Sequence, residues 1–220
     1  MHCMEHIELN ISEQRYICCR PQDLESFWEQ MEEQDLDQDE RLPYWVEIWP
    51  ASILLAKWIL KQKPCLQGKN CLDLGCGLGL TSLAAADCGA RVLGLDYESQ
   101  ALYYARQNAK LNKSPAHWVL MDWRQPAFKP HSFSFIWGAD ILYESRFFLP
   151  LLKLFAHTLA PGGQIWLSSP ERDVARPFWD LLQASGWCWE HMQQESVPYQ
   201  GQVNMQIHIW KVTRTETALA

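Results

Sequence analysis

The stretch Cys71-Leu72-Asp73-Leu74-Gly75-Cys76-Gly77-Leu78-Gly79 decides the fold. An apolar run over residues 70–74 reads as a strand, and it breaks on glycines at alternate positions. A small-residue segment, 78–88, then follows with helical period and stops at Gly89, a residue suited to closing a helix. Glycines take side chains out of the path, so the backbone amides of such a turn can approach a ligand closely.

The same alternation continues outward from this turn. Residues 91–95 read as a second strand and 98–111 as a second helix, with Leu102, Ala105 and Ala109 on its buried stripe. Strands follow at 117–121 and 133–139, a helix at 146–159 closed by Pro161-Gly162-Gly163, and a strand at 164–168. A helix over 174–184 ends at Gly186, and strands at 187–193 and 203–212 read as an antiparallel hairpin. Five strand–helix steps and a final hairpin predict an α/β fold: a seven-stranded, mostly parallel sheet with one antiparallel strand and helices on both faces. Ahead of it, residues 50–62 form a helix with Pro50 in the first turn and Pro64 just past its end. Residues 23–33 read as a further helix, with Leu24, Phe27, Trp28 and Met31 on one face. Residues 5–19 have weak strand character. The expected division is an N-terminal extension, 1–48, carrying the acidic helix and packing on the core, followed by a ligand-binding domain, 49–220.

Of 220 residues, 48% are hydrophobic and 20% charged, so the chain has the material for a sizeable core. The net charge of -7 argues against a protein that follows a phosphate backbone. Resolved along the chain, nine acids and no Lys or Arg lie between residues 23 and 40, which leaves the other 202 residues at +2. That segment reads either as a solvated helix face and turn, or as a cover over the ligand edge that attracts a cationic substrate. The eight cysteines show no C-x-x-C spacing, so they suggest neither a zinc ribbon nor a redox pair. A reduced, cytoplasmic protein is expected, with no metal. The most apolar stretch, 52–60, contains Lys57 and is too short to cross a bilayer.

Two acids reinforce the glycine turn. Asp96 ends the second strand, 23 residues after Asp73, where a carboxylate can accept both hydroxyls of a ribose. Asp122 ends the third strand, and with Trp123 it can meet the edge and face of an adenine. Each alone also reads as a strand-end turn residue, but together they line the edge where open α/β sheets bind ligands. The register Gly75-x-Gly77-x-Gly79 departs from the dinucleotide fingerprint, since Leu80 stands where a glycine or alanine is wanted, and the P-loop pattern is absent. Ser169-Pro170-Glu171-Arg172 reads as a solvated loop, with Glu171 or Arg172 at the pocket rim as the alternative. His117, His131, His157, His191 and His208 have no mutual spacing that suggests a metal or a proton shuttle.

An acid followed by G-x-G-x-G after a first strand resembles the class I S-adenosylmethionine-dependent methyltransferases, over roughly residues 43–212. More narrowly the chain resembles the family 16 branch, which includes protein lysine methyltransferases and nicotinamide-methyltransferase-like proteins. Trp49-Pro50-Ala51 and the D-x-x-Y motif Asp140-Ile141-Leu142-Tyr143 carry that narrower likeness.

The resemblance implies a Rossmann-like domain with S-adenosyl-L-methionine as cofactor and S-adenosyl-L-homocysteine as product. It implies that Gly75, Gly77 and Gly79 line the methionine part, with Asp73 reaching the amino group directly or through water, and Cys76 serving only to be small. Cys76 also reads as an accessible thiol. By the same resemblance Asp96 holds the ribose, Tyr97 sits beside the adenine, Asp122 and Trp123 flank it, Ala139 offers a carbonyl, and Trp49 closes one side. Asp140 and Tyr143 are the catalytic candidates, because Asp140 can accept a hydrogen bond from an amine and aim its lone pair. The expected acceptor is a lysine in a protein. A small-molecule N- or O-methyltransferase is the alternative, and a non-catalytic cofactor-binding interaction module is the reading from another class. Expected partners are a protein or amine substrate, basic under the steering reading, with neither nucleic acid nor membrane.

Overall fold

The computed structural model describes residues 4–22, 43–199 and 203–215. Its N-terminal strands, β1 (Met4–Ile11) and β2 (Gln14–Pro21), pair antiparallel from Met4↔Pro21 to Ile11↔Gln14. The weak strand character of this region is thus a complete hairpin, and the extension adds strand where helix was expected to dominate. The acidic helix expected over 23–33 lies outside the described residues.

The core alternates strand and helix. Helix α1 (Pro50–Lys61) precedes β3 (Asn70–Leu74), α2 (Leu80–Asp87), β4 (Arg91–Asp96) and α3 (Ser99–Leu111). Next come β5 (His117–Leu120), β6 (Phe133–Ala139), α4 (Phe148–Thr158), β7 (Leu159–Pro170) and α5 (Arg176–Ala184). A hairpin, β8 (Trp187–Tyr199) and β9 (Val203–Arg214), ends the described chain. The sheet order is β5-β4-β3-β6-β7-β9-β8, with β9 antiparallel to both of its neighbours. The predicted seven strands and single reversal are all present.

This order creates the place for a ligand. From β3 the chain steps to β4 and β5 on one side, then returns to β6 on the other, so connections leave β3 and β6 in opposite directions. A crevice opens at the carboxyl ends of those two strands. Leu74 lies opposite Gly138, which puts the glycine loop beside Ala139 and Asp140.

Period-two alternation separates the faces. Leu72 and Leu74 point into a core shared with Leu151, Leu154, Phe155 and Phe178 of α4 and α5. Cys71 and Trp137 point the other way, into a core with Leu55 and Ile59 of α1 and Leu83 of α2. There Trp137 and Trp166 stack with centroids 6.2 Å apart, and Trp58 meets Trp166 edge-on at 6.1 Å. Gly79 and Gly94 leave a hollow for Trp118: a Cβ on either would come within 2.5 Å of that ring.

The N-terminal hairpin is built onto this core. On α3, Asn108 Oδ1 accepts the Cys19 amide at 2.6 Å, and its Nδ2 donates to Leu78 O at 2.9 Å. One turn on, Asn112 exchanges bonds of 3.0 and 2.7 Å with the Ile17 backbone. Buried amides paired in this way close an otherwise costly strand edge. Arg20 then bridges Glu5 at 3.0 Å and Glu47 at 2.6 Å, tying the hairpin to the 3-10 turn Tyr44–Val46 that borders the crevice.

Candidate active site

The crevice is a cleft of about 400 Å³. Its floor is the glycine loop, in which Gly75, Gly77 and Gly79 all have positive φ, at 60°, 50° and 86°. A side chain would be strained at each position, and a Cβ on Gly75 would also press Trp123 and Ile141 at 3.3 Å. The loop is held from below: Cys76 donates to Leu95 O at 3.0 Å, and the Gly77 amide to Asp96 Oδ2 at 2.9 Å. Asp96 Oδ1 accepts the Glu98 amide at 3.0 Å. Two backbone donors thus fix the Asp96 carboxylate in the cleft wall, and its remaining lone pairs suit a diol. Burial pushes its pKa up to about 6.

Asp73 stands elsewhere. It is 1% exposed, and its Oδ2 accepts from Thr81 Oγ1 at 2.6 Å and Ser82 Oγ at 2.7 Å on α2. This carboxylate sits under the loop and stitches strand to helix, rather than in the cleft wall. Burial raises its pKa to about 6 as well. The expectation of an accessible thiol at Cys76 is corrected: the residue is buried, and burial with the nearby Asp96 and Asp73 lifts its pKa well above the ordinary thiol value. A neutral, covered thiol leaves Cys76 only the role of a small residue.

On the adenine side, Tyr97 and Trp123 both line the cleft, and Trp123 meets Phe147 edge-on at 5.4 Å. Asp122 does not line it. Its Oδ1 accepts the Arg124 amide at 2.8 Å and its Oδ2 accepts Arg124 Nε at 2.7 Å, beside a small neighbouring cavity. The strand-end position was right for facing this edge, but a cation two residues on claims the carboxylate.

At the other end, Ala139, Asp140 and Tyr143 line the cleft with Tyr44, Trp49 and Arg172. Asp140 has φ +55°, a left-handed conformation that turns the chain sharply as it leaves β6, and its amide donates to Ser168 O at 2.6 Å. Its Oδ2 accepts Arg172 Nη2 at 2.7 Å, while its Oδ1 is buried without a hydrogen-bond partner. Burial raises the pKa of this carboxyl, and Arg172 opposes the rise. Tyr143 is also raised, chiefly by burial, so its phenol is a neutral donor at physiological pH. Trp49 Nε1 donates to Tyr44 O at 2.7 Å, and Ser52 Oγ donates to Trp49 O at 2.7 Å, which fixes the indole at the head of α1.

Of the residues singled out from sequence, Trp49, Gly75, Cys76, Gly77, Gly79, Asp96, Tyr97, Trp123, Ala139, Asp140 and Tyr143 come together around one cleft, and Asp73 and Asp122 do not. Arg172 was read in first place as part of a solvated loop; it is instead the partner of Asp140. Tyr44 and Glu47 were missed, because nothing in their spacing links them to a strand end. Two of the histidines do meet, since β8 and β9 bring His191 Nε2 to 3.1 Å from His208 Nδ1, outside the cleft. Among the described residues no group of three His, Cys, Asp or Glu could hold a metal, and no helix is long and apolar enough to cross a membrane.

The residues present fit S-adenosylmethionine. Three glycines keep the floor free of side chains, a fixed carboxylate stands where a ribose would lie, aromatic rings flank the adenine side, and one buried carboxylate oxygen lacks a partner.

Comparison with known proteins agrees. A family model described as a methyltransferase domain matches residues 71–163. Protein N-lysine methyltransferase METTL21A of Xenopus tropicalis is 32% identical over 127 residues, covering 56% of this chain and 59% of that protein. The electron transfer flavoprotein beta subunit lysine methyltransferase homolog of Caenorhabditis elegans is 39% identical over 71 residues, 32% of this chain and 29% of that one. The chain therefore spans less than two thirds of these relatives. Magnesium protoporphyrin IX methyltransferase from Synechocystis PCC 6803, solved with bound SAM, has a TM-score of 0.57 at 17% identity, covering 74% of this chain and 79% of that one, and shares the fold. The strand order, the glycine loop at the switch point and the matching domain agree: residues 71–163 of this chain match a methyltransferase domain, on a fold shared with S-adenosylmethionine-dependent methyltransferases.

Proposed function

We propose that the chain transfers a methyl group from S-adenosylmethionine to an amine nitrogen, that of a lysine in a protein. The observation that carries this reading is the Asp140 carboxylate, buried at the cleft wall with one oxygen unpaired and neutral Tyr143 lining the same cleft. The cofactor supplies an electrophilic methyl on a cationic sulfur. What the protein adds is position, exclusion of water and charge. The side-chain-free glycine loop makes room for the methionine part of the cofactor, and the Asp96 carboxylate holds its ribose. Five acids, Glu47, Asp96, Glu98, Asp140 and Glu144, line the cleft against one arginine, so its field favours a sulfonium and an approaching ammonium.

A lysine has an ordinary pKa of about 10.4 and arrives protonated. It must lose that proton before its lone pair can attack. Asp140 Oδ1 accepts an N–H of the amine and turns the lone pair into line, and the aromatic walls strip water from it. The extra proton departs to solvent as the amine enters: desolvation by the aromatic walls favours this loss, and the neighbouring carboxylates oppose it. The two lysine-modifying relatives support a protein acceptor by name only for themselves; the acidic, aromatic mouth is this chain's own support for a cationic one. The acidic segment 23–40, under the steering reading, would add to that field.

Labelled methyl transfer into a cell lysate, comparing the wild-type chain with Asp140→Asn, tests the proposal. Label in discrete protein bands, lost in the variant, supports it. Label confined to small molecules would replace the lysine acceptor with a small amine or alcohol. Binding of S-adenosylhomocysteine without any transfer would point to a non-catalytic module.

A further inference from the structure

The hairpin at the end of the sheet carries a second meeting of polar side chains, away from the cleft. His191 on β8 lies opposite Trp210 on β9, and the ladder then shifts: the next pair is Gln193↔Ile209, so Met192 is an extra residue. A bulge of this kind re-aims the side chains beside it. Here the outcome is a diagonal contact, with His191 Nε2 standing 3.1 Å from His208 Nδ1. Trp210 holds both rings: His208 stacks on it at 5.3 Å and 17°, and His191 meets it at 6.2 Å and 57°. Trp210 is itself buried against Trp179 of α5, 4.9 Å away. The pair is therefore positioned by the fold, while His191 is exposed and His208 half-buried.

Two imidazoles at this separation have two uses. One ring can donate an N–H to the other, or both can turn lone pairs on a shared cation. Metal–imidazole bonds of about 2.0–2.1 Å put two neighbouring ligand nitrogens about 2.8–3.4 Å apart, from a right angle to a tetrahedral one. The observed 3.1 Å falls inside that range. Passing from hydrogen bond to chelate moves one ring proton to that ring's other nitrogen, a tautomer change with no net change in protonation. Imidazole suits Cu(II), Ni(II) and Zn(II), whereas Mg(II) and Ca(II) call for oxygen ligands. With two protein ligands the cation keeps water in its other positions, which makes it exchangeable, unlike an ion closed in by four side chains.

We propose that His191 and His208 chelate a divalent transition-metal ion across β8 and β9, at the edge of the sheet. The site is independent of the methyl-transfer reading. Because it joins neighbouring strands, an ion there stabilises the hairpin by mass action.

Nuclear magnetic resonance on the full chain, with isotope label in the histidine rings and tryptophan indoles, tests this with Ni(II) as the probe and Mg(II) as the control. Paramagnetic Ni(II) below one equivalent should broaden the His191 and His208 ring signals together, and the Trp210 indole with them, while Mg(II) leaves all three sharp. His191→Gln or His208→Gln should raise the Ni(II) concentration needed at the remaining ring by about 10²-fold, because the second ligand no longer binds intramolecularly. Indole signals away from the hairpin report that each variant is folded. Broadening of histidines elsewhere while this pair stays sharp would mean an adventitious ion only, and would leave the contact a plain hydrogen bond. Broadening of one ring of the pair without the other, or a single variant that keeps the wild-type affinity, also overturns the chelate.

Discussion

At the glycine-loop end of the cleft the ligand-facing groups belong to the main chain and to a strand-end carboxylate, whereas at the Tyr44–Arg172 end they belong to side chains from four separate segments. The first end is set by the sheet itself: β3 and β4 stop in register at Leu74 and Leu95, and the loop and Asp96 follow from that. The second is assembled. Tyr44 comes from a turn anchored through Glu47 and Arg20 to the N-terminal hairpin, Trp49 from the head of α1, Asp140 and Tyr143 from the exit of β6, and Arg172 from beyond β7. Under the proposed function, the backbone-built end would serve the invariant cofactor and the side-chain-built end the acceptor.

The largest expected effect tests the assembled end. Asp140→Asn keeps the shape of the side chain and removes its charge, so methyl transfer should fall by about 10²–10⁴-fold. Binding of S-adenosylhomocysteine should change by less than about threefold, because the glycine loop and Asp96 are untouched. Steady-state kinetics and calorimetry read the two effects separately. Equal loss in both would erase the distinction between the two ends.

The backbone-built end breaks differently. Gly79→Ala forces a Cβ to 2.5 Å from Trp118 at φ +86°. Left-handed strain of about 1–2 kcal/mol and overpacking of about 1–3 kcal/mol add, so the whole domain should lose about 2–5 kcal/mol in urea unfolding. Cofactor affinity falls with it. A variant that lost cofactor binding at unchanged stability would show the loop to be a mere ligand contact, not part of the fold.

This difference in construction also explains what the sequence disclosed. The strands over 70–74 and 133–139 match the observed β3 and β6 to the residue, because each is an apolar run ended by a turn. The helices α2 and α3 start two and one residues later than expected, where the loop amides are spent on Asp96. The strand β8 runs to Tyr199, well past the expected 193, since its pairing to β9 continues across a bulge and tolerates polar residues facing outward. Asp96 and the glycines were legible because their roles follow from position along the chain. Tyr44 and Tyr199 were not, and Arg172 only as an alternative at the rim, because their meeting with Asp140 and Trp49 depends on tertiary closure that no local period records. Asp122 differs: position suggested a ligand role, and in the structure its carboxylate bonds Arg124 beside a small cavity next to the cleft rather than lining the cleft itself.

A pH titration sharpens the comparison further. Asp96 is buried, and its folded pKa of about 6 exceeds the ordinary carboxyl value. The folded state thus holds a proton that the unfolded chain has already lost between about pH 4 and 6. Stability should therefore fall as pH rises through that window, by at most about 1.4 kcal/mol per pH unit for this group. Cofactor affinity should move the opposite way and rise through pH 6, because the ionised carboxylate is the better acceptor for a diol. Asp96→Asn removes its share of both slopes. Asp73, also raised to about 6, keeps its share of the stability slope while leaving the affinity slope flat, since it lies under the loop and not in the cleft wall.

The smallest effect concerns Arg172, which holds Asp140 Oδ2 at 2.7 Å while its own side chain stays 37% exposed. Burial pushes the Asp140 carboxyl up and the guanidinium pulls it back. In Arg172→Gln only burial remains, so the carboxylate forms at higher pH. The acid limb of the pH–rate profile should move to higher pH, and only modestly, because solvent screens a partly exposed arginine. Above that limb kcat should stay within about twofold of the wild type, for Arg172 engages Oδ2 and leaves Oδ1, the oxygen proposed to meet the amine, unpartnered. A uniform loss of kcat at every pH would instead mean that Arg172 fixes the carboxylate's orientation rather than its charge. In that case the assembled end would be as rigid as the backbone-built one.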